Sequence, residues 1–356
     1  MLLSLPFLLV GCTAQPQGTV HSDMEANHVL LQGDTVSGLG RNIWYIFQDH
    51  NNNYWFGSDG EGLYRYDGLH CINFTTEHGL PNNRVRQIQE DHEGNMYFST
   101  LDGICRFDGK RFELLEAIKS DEWKSEPNDL WFYMLGKQDE SGPYRYDGKQ
   151  LYNLEFPKHY LHDEFMANGI NPFFSPYEIY SIYKDRSGSM WFGTSVFGAC
   201  RFDGTSIKWM YEKDLTIVPA GGSFGIRSIF EDREGHFWLC NTNQRFLFDW
   251  SKTAQSDRLE YTKTQGVGDA STFGGDACIY FSHIVEDENG WIWLTTWDQG
   301  VYAYDGNQVR HYPVKDGSST VQLVSMYKDR QGRLWLGTAE KGVYCFDGSN
   351  FNKWNK

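Results

Sequence analysis

The sequence predicts an all-β chain, a seven-bladed β-propeller of four-stranded antiparallel blades with blade 3 degenerate. Two observations carry this expectation: six aligned copies of one apolar–Asp–Gly–Trp–Asp pattern with a weaker seventh, and a composition of 24 Phe, 21 Tyr, 13 Trp and 37 Gly in 356 residues. Such aromatic and glycine content argues against a coiled coil, a collagen-like chain or a disordered one. With 47 acidic against 32 basic residues the net charge is -15. A surface so acidic is unsuited to phosphate-backbone binding, which depends on Lys and Arg releasing counterions, so nucleic acid is excluded as a partner.

The chain divides into residues 1–11, 12–26 and 27–356. Residues 1–10, MLLSLPFLLV, form an apolar run too short to span a bilayer but of the length of a secretory core segment. Leu9-Val10-Gly11-Cys12 resembles the lipobox of bacterial lipoproteins, although no Lys or Arg precedes the apolar run. The resemblance implies cleavage before Cys12 and lipidation of its thiol. Thr13 after the cysteine then implies the outer membrane of a Gram-negative cell, facing the periplasm, with membrane contact through the lipid anchor alone. An ordinary signal peptide is the alternative. Residues 13–25 are polar and suit a tether. The six later cysteines show neither C-x-x-C spacing nor a paired His pattern, so no zinc site is expected. A Cys240–Cys278 bridge between neighbouring repeats is the one disulfide considered.

The repeat is anchored on Trp55, Tyr97, Trp191, Trp238, Trp293 and Trp335. Apolar residues lie twelve and nine positions earlier (Ile43 and Ile46 in the first copy), and Asp lies six earlier in every copy. Gly lies three earlier in all but the first, where Asn52 stands. A second Asp, usually followed by Gly, comes eleven or twelve positions after the anchor. The seventh copy runs from Trp131 to Asp147-Gly148, and its expected apolar positions hold Lys119 and Glu122, so its first strand is poor or displaced. Each copy reads as strands A to D: A ends at Asp-x-x-Gly, B holds the Trp, C ends at Asp-Gly, and D is a short aromatic run. Asp-Gly suits a tight hairpin because Gly accepts positive φ. A single such sheet cannot bury both faces, whereas a closed ring can. Either residues 27–32 or 351–354 should complete the last blade. The aligned aspartates from Asp49 to Asp329 are expected to form turns, not a calcium ring.

Units such as Ile182-Tyr183-Lys184-Asp185-Arg186-Ser187-Gly188-Ser189-Met190-Trp191-Phe192-Gly193-Thr194 resemble the two-component regulator propeller repeat, from about residue 41 onward. The resemblance implies a periplasmic ligand-sensing propeller of the kind found in hybrid histidine kinases, where it is linked to oligosaccharide sensing. No phosphoacceptor helix or ATP-site motif accompanies the repeats, so kinase activity is not implied. The repeats are more distantly similar to streptogramin lyase propellers, which use His and Glu at the channel mouth.

Strand A should line the channel. Residues thirteen and eleven before the anchor then point inward: Asn42, Trp44, Arg84, Arg86, Glu178, Tyr180, Arg227, Tyr280, Ser282, Gln322 and Val324. Arg forks bind carboxylate or sulfate and aromatic faces stack on sugars, so Trp44, Arg84, Arg86, Glu178, Tyr180, Arg227 and Tyr280, with Trp297 and Asp298 on the rim, form the expected ligand site. The plainer alternative pairs these arginines with Glu178 and rim carboxylates to fill a wet channel. Long insertions fall mainly in D–A connections, on one rim. The primary expectation is a non-catalytic, lipid-anchored propeller binding an oligosaccharide or other small ligand, with no cofactor or metal. Two alternatives remain: a platform for an envelope protein partner, and a lyase-type carbon–oxygen lyase using Glu178 and His283.

Overall fold

Each Asp-x-x-Gly segment closes the turn between the first two strands of its repeat. In the computed structural model, which describes residues 33–136, 141–167, 175–216, 225–242, 244–267 and 281–355, the carboxylate of Asp185 accepts the N–H of Ser189 at 2.9 Å. Gly188 takes a left-handed φ of 89°, and Asn52 takes 64° at the same place in the first repeat. The second aspartate caps the other hairpin: Asp67 accepts from Leu69 N and His70 N at 2.8 and 2.7 Å. The six aligned aspartates are turn formers.

These turns generate seven blades. Blade one comprises β2 (Ile43–Gln48), β3 (Tyr54–Ser58), β4 (Leu63–Tyr66) and β5 (Cys71–Phe74), with β1 (Asp34–Val36) added antiparallel to β5 as a fifth, outermost strand. Blade two is β6 (Val85–Glu90), β7 (Met96–Thr100), β8 (Gly103–Phe107) and β9 (Phe112–Leu114). Blade three holds β10 (Ala117–Ser120), β11 (Leu130–Phe132), β12 (Tyr144–Tyr146) and β13 (Leu151–Leu154). Blade four is β14 (Ile179–Lys184), β15 (Met190–Thr194), β16 (Ala199–Phe202) and β17 (Ile207–Met210). Blade five is β18 (Ile229–Glu231), β19 (Phe237–Leu239), β20 (Gln244–Phe248) and β21 (Tyr261–Gln265). Blade six is β22 (His283–Glu286), β23 (Ile292–Thr295), β24 (Val301–Tyr304) and β25 (Val309–Tyr312). A two-stranded ribbon, β26 (Lys315–Asp316) and β27 (Ser319–Thr320), leads to blade seven: β28 (Leu323–Lys328), β29 (Leu334–Thr338), β30 (Val343–Phe346) and β31 (Phe351–Lys353). Blade seven is therefore completed by the C-terminal segment. Residues 27–32, the other expected source, lie outside the described residues.

The anchor rings fill the seams. Trp55 packs with Val85 and Phe98 of blade two, Tyr97 with Phe132 of blade three, and Trp131 with Phe192 of blade four. Trp191, Trp238 and Trp293 continue the series, and Trp335 returns to Ile43 and Phe56 of blade one. Burying one such side chain contributes roughly 2–3 kcal/mol, and every blade needs its neighbour to do so. Among the described residues no strand is shared across the closing seam. Instead Arg330 N donates to Gln48 Oε1 at 2.9 Å, and Gln48 N donates to Tyr327 Oη at 3.0 Å. Gly337 permits this approach, since a Cβ there would lie 2.5 Å from the Ile43 carbonyl oxygen.

Blade three departs from the others as Lys119 and Glu122 foretold. The segment that would form its inner strand is β10, which runs parallel to β13 on the outer edge. The inner edge of β11 is met by side chains of the preceding blade: Gln87 Nε2 donates to Trp131 O at 3.0 Å, Gln89 Nε2 donates to the same oxygen, and Gln87 Oε1 accepts Tyr133 N at 3.3 Å. Two glutamines thus satisfy backbone groups that a strand normally pairs.

Cys71, Cys105, Cys200 and Cys240 are buried and Cys345 is half-buried, each outside a disulfide. Cys278, the proposed partner of Cys240, lies outside the described residues, as does Cys12. Among the described residues no helix is long and apolar enough to cross a membrane.

Candidate functional site

The channel mouth is built where the B–C connections meet the start of strand A. Asp59 N donates to Asn42 O at 3.0 Å, Leu101 N to Arg84 O at 3.3 Å, Ser195 N to Glu178 O at 2.8 Å and Ala339 N to Gln322 O at 3.1 Å. The residues thirteen before four of the anchors, Asn42, Arg84, Glu178 and Gln322, therefore share one end of the ring with the B–C loops. The long connection after β13 reaches the same end, where Phe165 of the helix α1 (His162–Ala167) packs on Phe197 of a B–C loop at 5.2 Å.

A β-bulge aims the next residue. Pairing of the first two strands shifts between Ile43 and Tyr45, Val85 and Gln87, Ile179 and Ser181, and Leu323 and Ser325. The extra residue in each case is the one eleven before the anchor: Trp44, Arg86, Tyr180 and Val324. A bulge breaks alternation and re-aims its side chain, and here it does so at the same level in four blades.

Two guanidinium–aromatic pairs result. Arg86 lies 4.9 Å from the Trp44 ring centroid and Arg227 lies 4.7 Å from that of Tyr180. Trp44 is oriented by its indole N–H, which donates to Asn42 Oδ1 at 2.6 Å. Arg86, only 6% exposed, donates through Nη2 to Asp59 Oδ1 and through Nη1 to Val85 O at 3.3 Å. Arg84 is exposed on the rim, with Nε 3.8 Å from Asp59 Oδ1. Arg84 and Arg86 therefore pair with Asp59, and among the described residues Glu178 enters no ion pair. Glu178, also 6% exposed, accepts Gly136 N at 2.5 Å. Burial, and after it the Glu178 charge, pushes the Tyr180 phenol up to about 12.

The two pairs converge. Tyr45 Oη and Tyr133 Oη share a hydrogen bond, and Tyr133 Oη donates to Arg86 O at 3.2 Å. Burial raises the Tyr45 phenol, while the Tyr133 hydrogen bond and the positive charges of both Arg86 and Arg227 pull it back. Guanidiniums from blades two and five thus act on one hydroxyl. Half-buried His283, bonded through Nδ1 to Ser282 Oγ at 3.3 Å, is held down to about 4 by burial and then by Arg227. Its imidazole is neutral at pH 7.

Of the expected site residues, Trp44, Arg84, Arg86, Glu178, Tyr180 and Arg227 are brought to the channel and mouth. Trp297, 44% exposed, and Asp298 stand on the rim without a described contact to that group. Tyr280 lies outside the described residues. Tyr45 and Tyr133 were not expected, because a straight alternation and a regular third blade misplace both. Asp232, Glu234 and His236 have ligand atoms within 4.8 Å of one another, but Arg245 already pairs with both carboxylates at 3.6 and 3.0 Å.

The seven-bladed ring with its charged, aromatic-lined mouth places the chain in the class of β-propellers. Within that class, this chain carries the two-component regulator propeller repeat, matched at residues 37–60, 79–102, 174–196 and 317–340. The extracellular domain of BT4673 from B. thetaiotaomicron, described as part of a hybrid two component system, is similar in structure, with TM-score 0.58 and 20% identity over 90% of this chain. The match spans 40% of that domain. Streptogramin B lyase superposes with TM-score 0.61 and 13% identity over 91% of this chain and 99% of its own. Virginiamycin B lyase from Staphylococcus aureus gives 0.60 and 14% over 88% and 97%. At these identities the likeness is one of fold. A comparison with curated protein sequences returns no match.

Proposed function

We propose that this propeller is a non-catalytic, ligand-binding sensor module that takes an oligosaccharide at the loop-rich channel mouth. The observation that carries this reading is the pairing of Arg86 with Trp44 and of Arg227 with Tyr180 at the bulge level of the inner strands. Flat guanidiniums on aromatic faces present both hydrogen-bonding forks and apolar surface, the two chemistries a sugar requires. Repeats of this family and the extracellular hybrid-system domain of like fold support a sensing role. Cys12 would carry the lipid anchor at the outer membrane, and a Cys12→Ser chain should then lose labelling by radioactive palmitate. In a glycan array followed by calorimetry, Trp44→Ala and Arg86→Ala should abolish binding while thermal unfolding stays cooperative. Binding unchanged by both substitutions would sink the reading.

A second reading, a lyase, is favoured by one observation: neutral His283 lies under the influence of Arg227, which also covers Tyr180 beside Glu178. A neutral imidazole can accept a proton. Turnover of a streptogramin B substrate that disappears in His283→Ala and in Glu178→Gln would favour it over the sensor.

A further inference from the structure

We propose that Asp59 is an internal stand-in for a ligand's anion, and that the mouth takes a sugar bearing a carboxylate or sulfate group, which displaces Asp59 from between Arg84 and Arg86. The proposal rests on the reading of the mouth as a ligand site and specifies its ligand class.

Four observations lead there. Arg86 does not need Asp59 to stay in place, since the Trp44 ring and the Val85 carbonyl already fix its guanidinium. Its side chain is more than nine-tenths buried, and its Nε is buried with no hydrogen-bond partner, so the fork is not fully used. The Asp59 carboxylate is partly open to solvent and touches Arg86 closely but Arg84 only at 3.8 Å. Its backbone, by contrast, is fixed on both sides: Asp59 N donates to Asn42 O at 3.0 Å and Asn42 Nδ2 donates to Asp59 O at 3.3 Å. The carboxylate can therefore rotate away about its own side-chain bonds while the mouth keeps its shape.

Charge gives the direction. In a chain of net charge -15, the channel gathers Arg84, Arg86 and Arg227 against Asp59 and Glu178. Arg227 adds a second guanidinium, 4.7 Å from the Tyr180 ring centroid, and its positive charge and that of Arg86 both act on the Tyr45 phenol. A buried fork prefers a planar or tetrahedral oxyanion that accepts two bonds over a single hydroxyl. A neutral sugar would leave the Asp59 pairs intact and gain nothing from them. An anionic sugar exchanges one carboxylate for another and can add contacts from its own ring.

The test uses calorimetry at low salt with trigalacturonate, its methyl ester, and a sulfated chondroitin disaccharide as probes, on the whole chain and on Asp59→Asn. Asn keeps the side-chain shape and removes the charge. The whole chain should bind trigalacturonate or the sulfated disaccharide at least tenfold more tightly than the ester. Asp59→Asn should gain about tenfold for the charged probe and little for the ester. Arg86→Lys, which keeps the charge but loses the fork, should lose tenfold or more for the charged probe. Which charged probe responds separates a carboxylate from a sulfate ligand. Equal affinity for the acid and its ester would overturn the proposal and leave the oligosaccharide reading standing. Loss of thermal stability in Asp59→Asn with no gain for either anion would make Asp59 a structural counter-ion and overturn it as well. Absence of binding by both chains also overturns it, and the wider glycan array then decides the function separately.

Discussion

The indole N–H of Trp191 donates to Asp185 Oδ2 at 2.9 Å. The same bond joins Asp49 to Trp55, Asp232 to Trp238, Asp287 to Trp293 and Asp329 to Trp335 at 2.8 to 2.9 Å, and Tyr97 places its hydroxyl 2.9 Å from Asp91 Oδ2. One carboxylate thus closes the hairpin with one oxygen and satisfies the seam's largest ring with the other. A buried indole N–H needs an acceptor, which explains why the Asp and the anchor keep a spacing of six residues in all six copies.

Removing the acceptor should cost more than removing the donor. Asp185 also accepts from Arg201 Nε at 2.9 Å and from Ser189 N, so Asp185→Ala strands a guanidinium, an indole and a turn amide together. It should lower stability by about 3–5 kcal/mol, as breaking a buried charged pair does. Trp191→Phe leaves the other bonds and should cost about 1–3 kcal/mol. Urea titrations of the two variants measure the order; a larger loss for Trp191→Phe would show that ring packing, not the carboxylate, holds the seam.

Much of this was legible in the residues. The aligned Asp, Gly and Trp positions define blades and turns, and Lys119 and Glu122 mark the displaced strand. The bulge was signalled too: core positions twelve and nine before the anchor differ by an odd number, which a flat strand of period two cannot place on one face. Gln89 is the one polar residue at its repeat position, where the other copies have Phe47, Tyr183, Phe230, Val285 and Tyr327, and it directly precedes the blade it repairs. The pairing of Arg84 and Arg86 with a rim carboxylate was legible as the plainer alternative, but not that Asp59 rather than Glu178 takes both, because these residues belong to different blades and no periodicity links them. Tyr133 was hidden for a related reason, since blade three lacks the strand from which offsets are counted.

Acid should weaken the ring in two stages. His159 and His283 are each held down to about 4, by burial first; Arg258 and His162 add to the effect at His159 and Arg227 at His283. Above the ordinary value of 6.5 neither folded nor unfolded chain is protonated there, and the full stability is present. Between 6.5 and about 4 only the unfolded chain takes the proton, so stability falls as pH falls, by up to about 1.4 kcal/mol per pH unit for each His. His159→Phe, which can keep the stack on Phe197, should flatten that slope, and unfolding midpoints at pH 8, 6 and 5 would show it. The second stage comes from carboxylates. Burial raises Asp185, but bonds from Ser187, Arg201, Trp191 and Ser189 outweigh it and hold the group below its ordinary value of 3.8. That contribution is present above 3.8 and is lost as pH falls through the lower folded value. Asp185→Asn should remove this late loss while leaving the early one.

The closing seam should be sensitive to added volume. Among the described residues no strand crosses it, and Gly337 faces the Ile43 carbonyl where a Cβ would sit at 2.5 Å. Gly337→Val should separate blades one and seven and cost roughly 3 kcal/mol or more, whereas the same change at exposed Gly348, already at a turn, acts only through its φ of 98°. Hydrogen exchange should quicken first in β2 and β28. Uniform quickening around the ring would mean that the seams open together.

Gln87 and Gln89 make a sharper prediction, because their role depends on which atoms they present. Both amide nitrogens donate to the Trp131 carbonyl, and the Gln87 oxygen accepts Tyr133 N. Gln89→Leu keeps the volume and leaves the carbonyl with one donor, so the cost should be about 1 kcal/mol. Gln87→Leu with Gln89→Leu strands a carbonyl and an amide, and should cost about 2–4 kcal/mol with faster exchange at residues 131–133. Gln89→Glu directs an anion at that same carbonyl oxygen, and should be worse than Leu at pH 7 yet recover toward Leu at pH 5, where the carboxyl can donate. If Leu and Glu behave alike at both values, the edge of β11 is held by packing and the glutamines are bystanders.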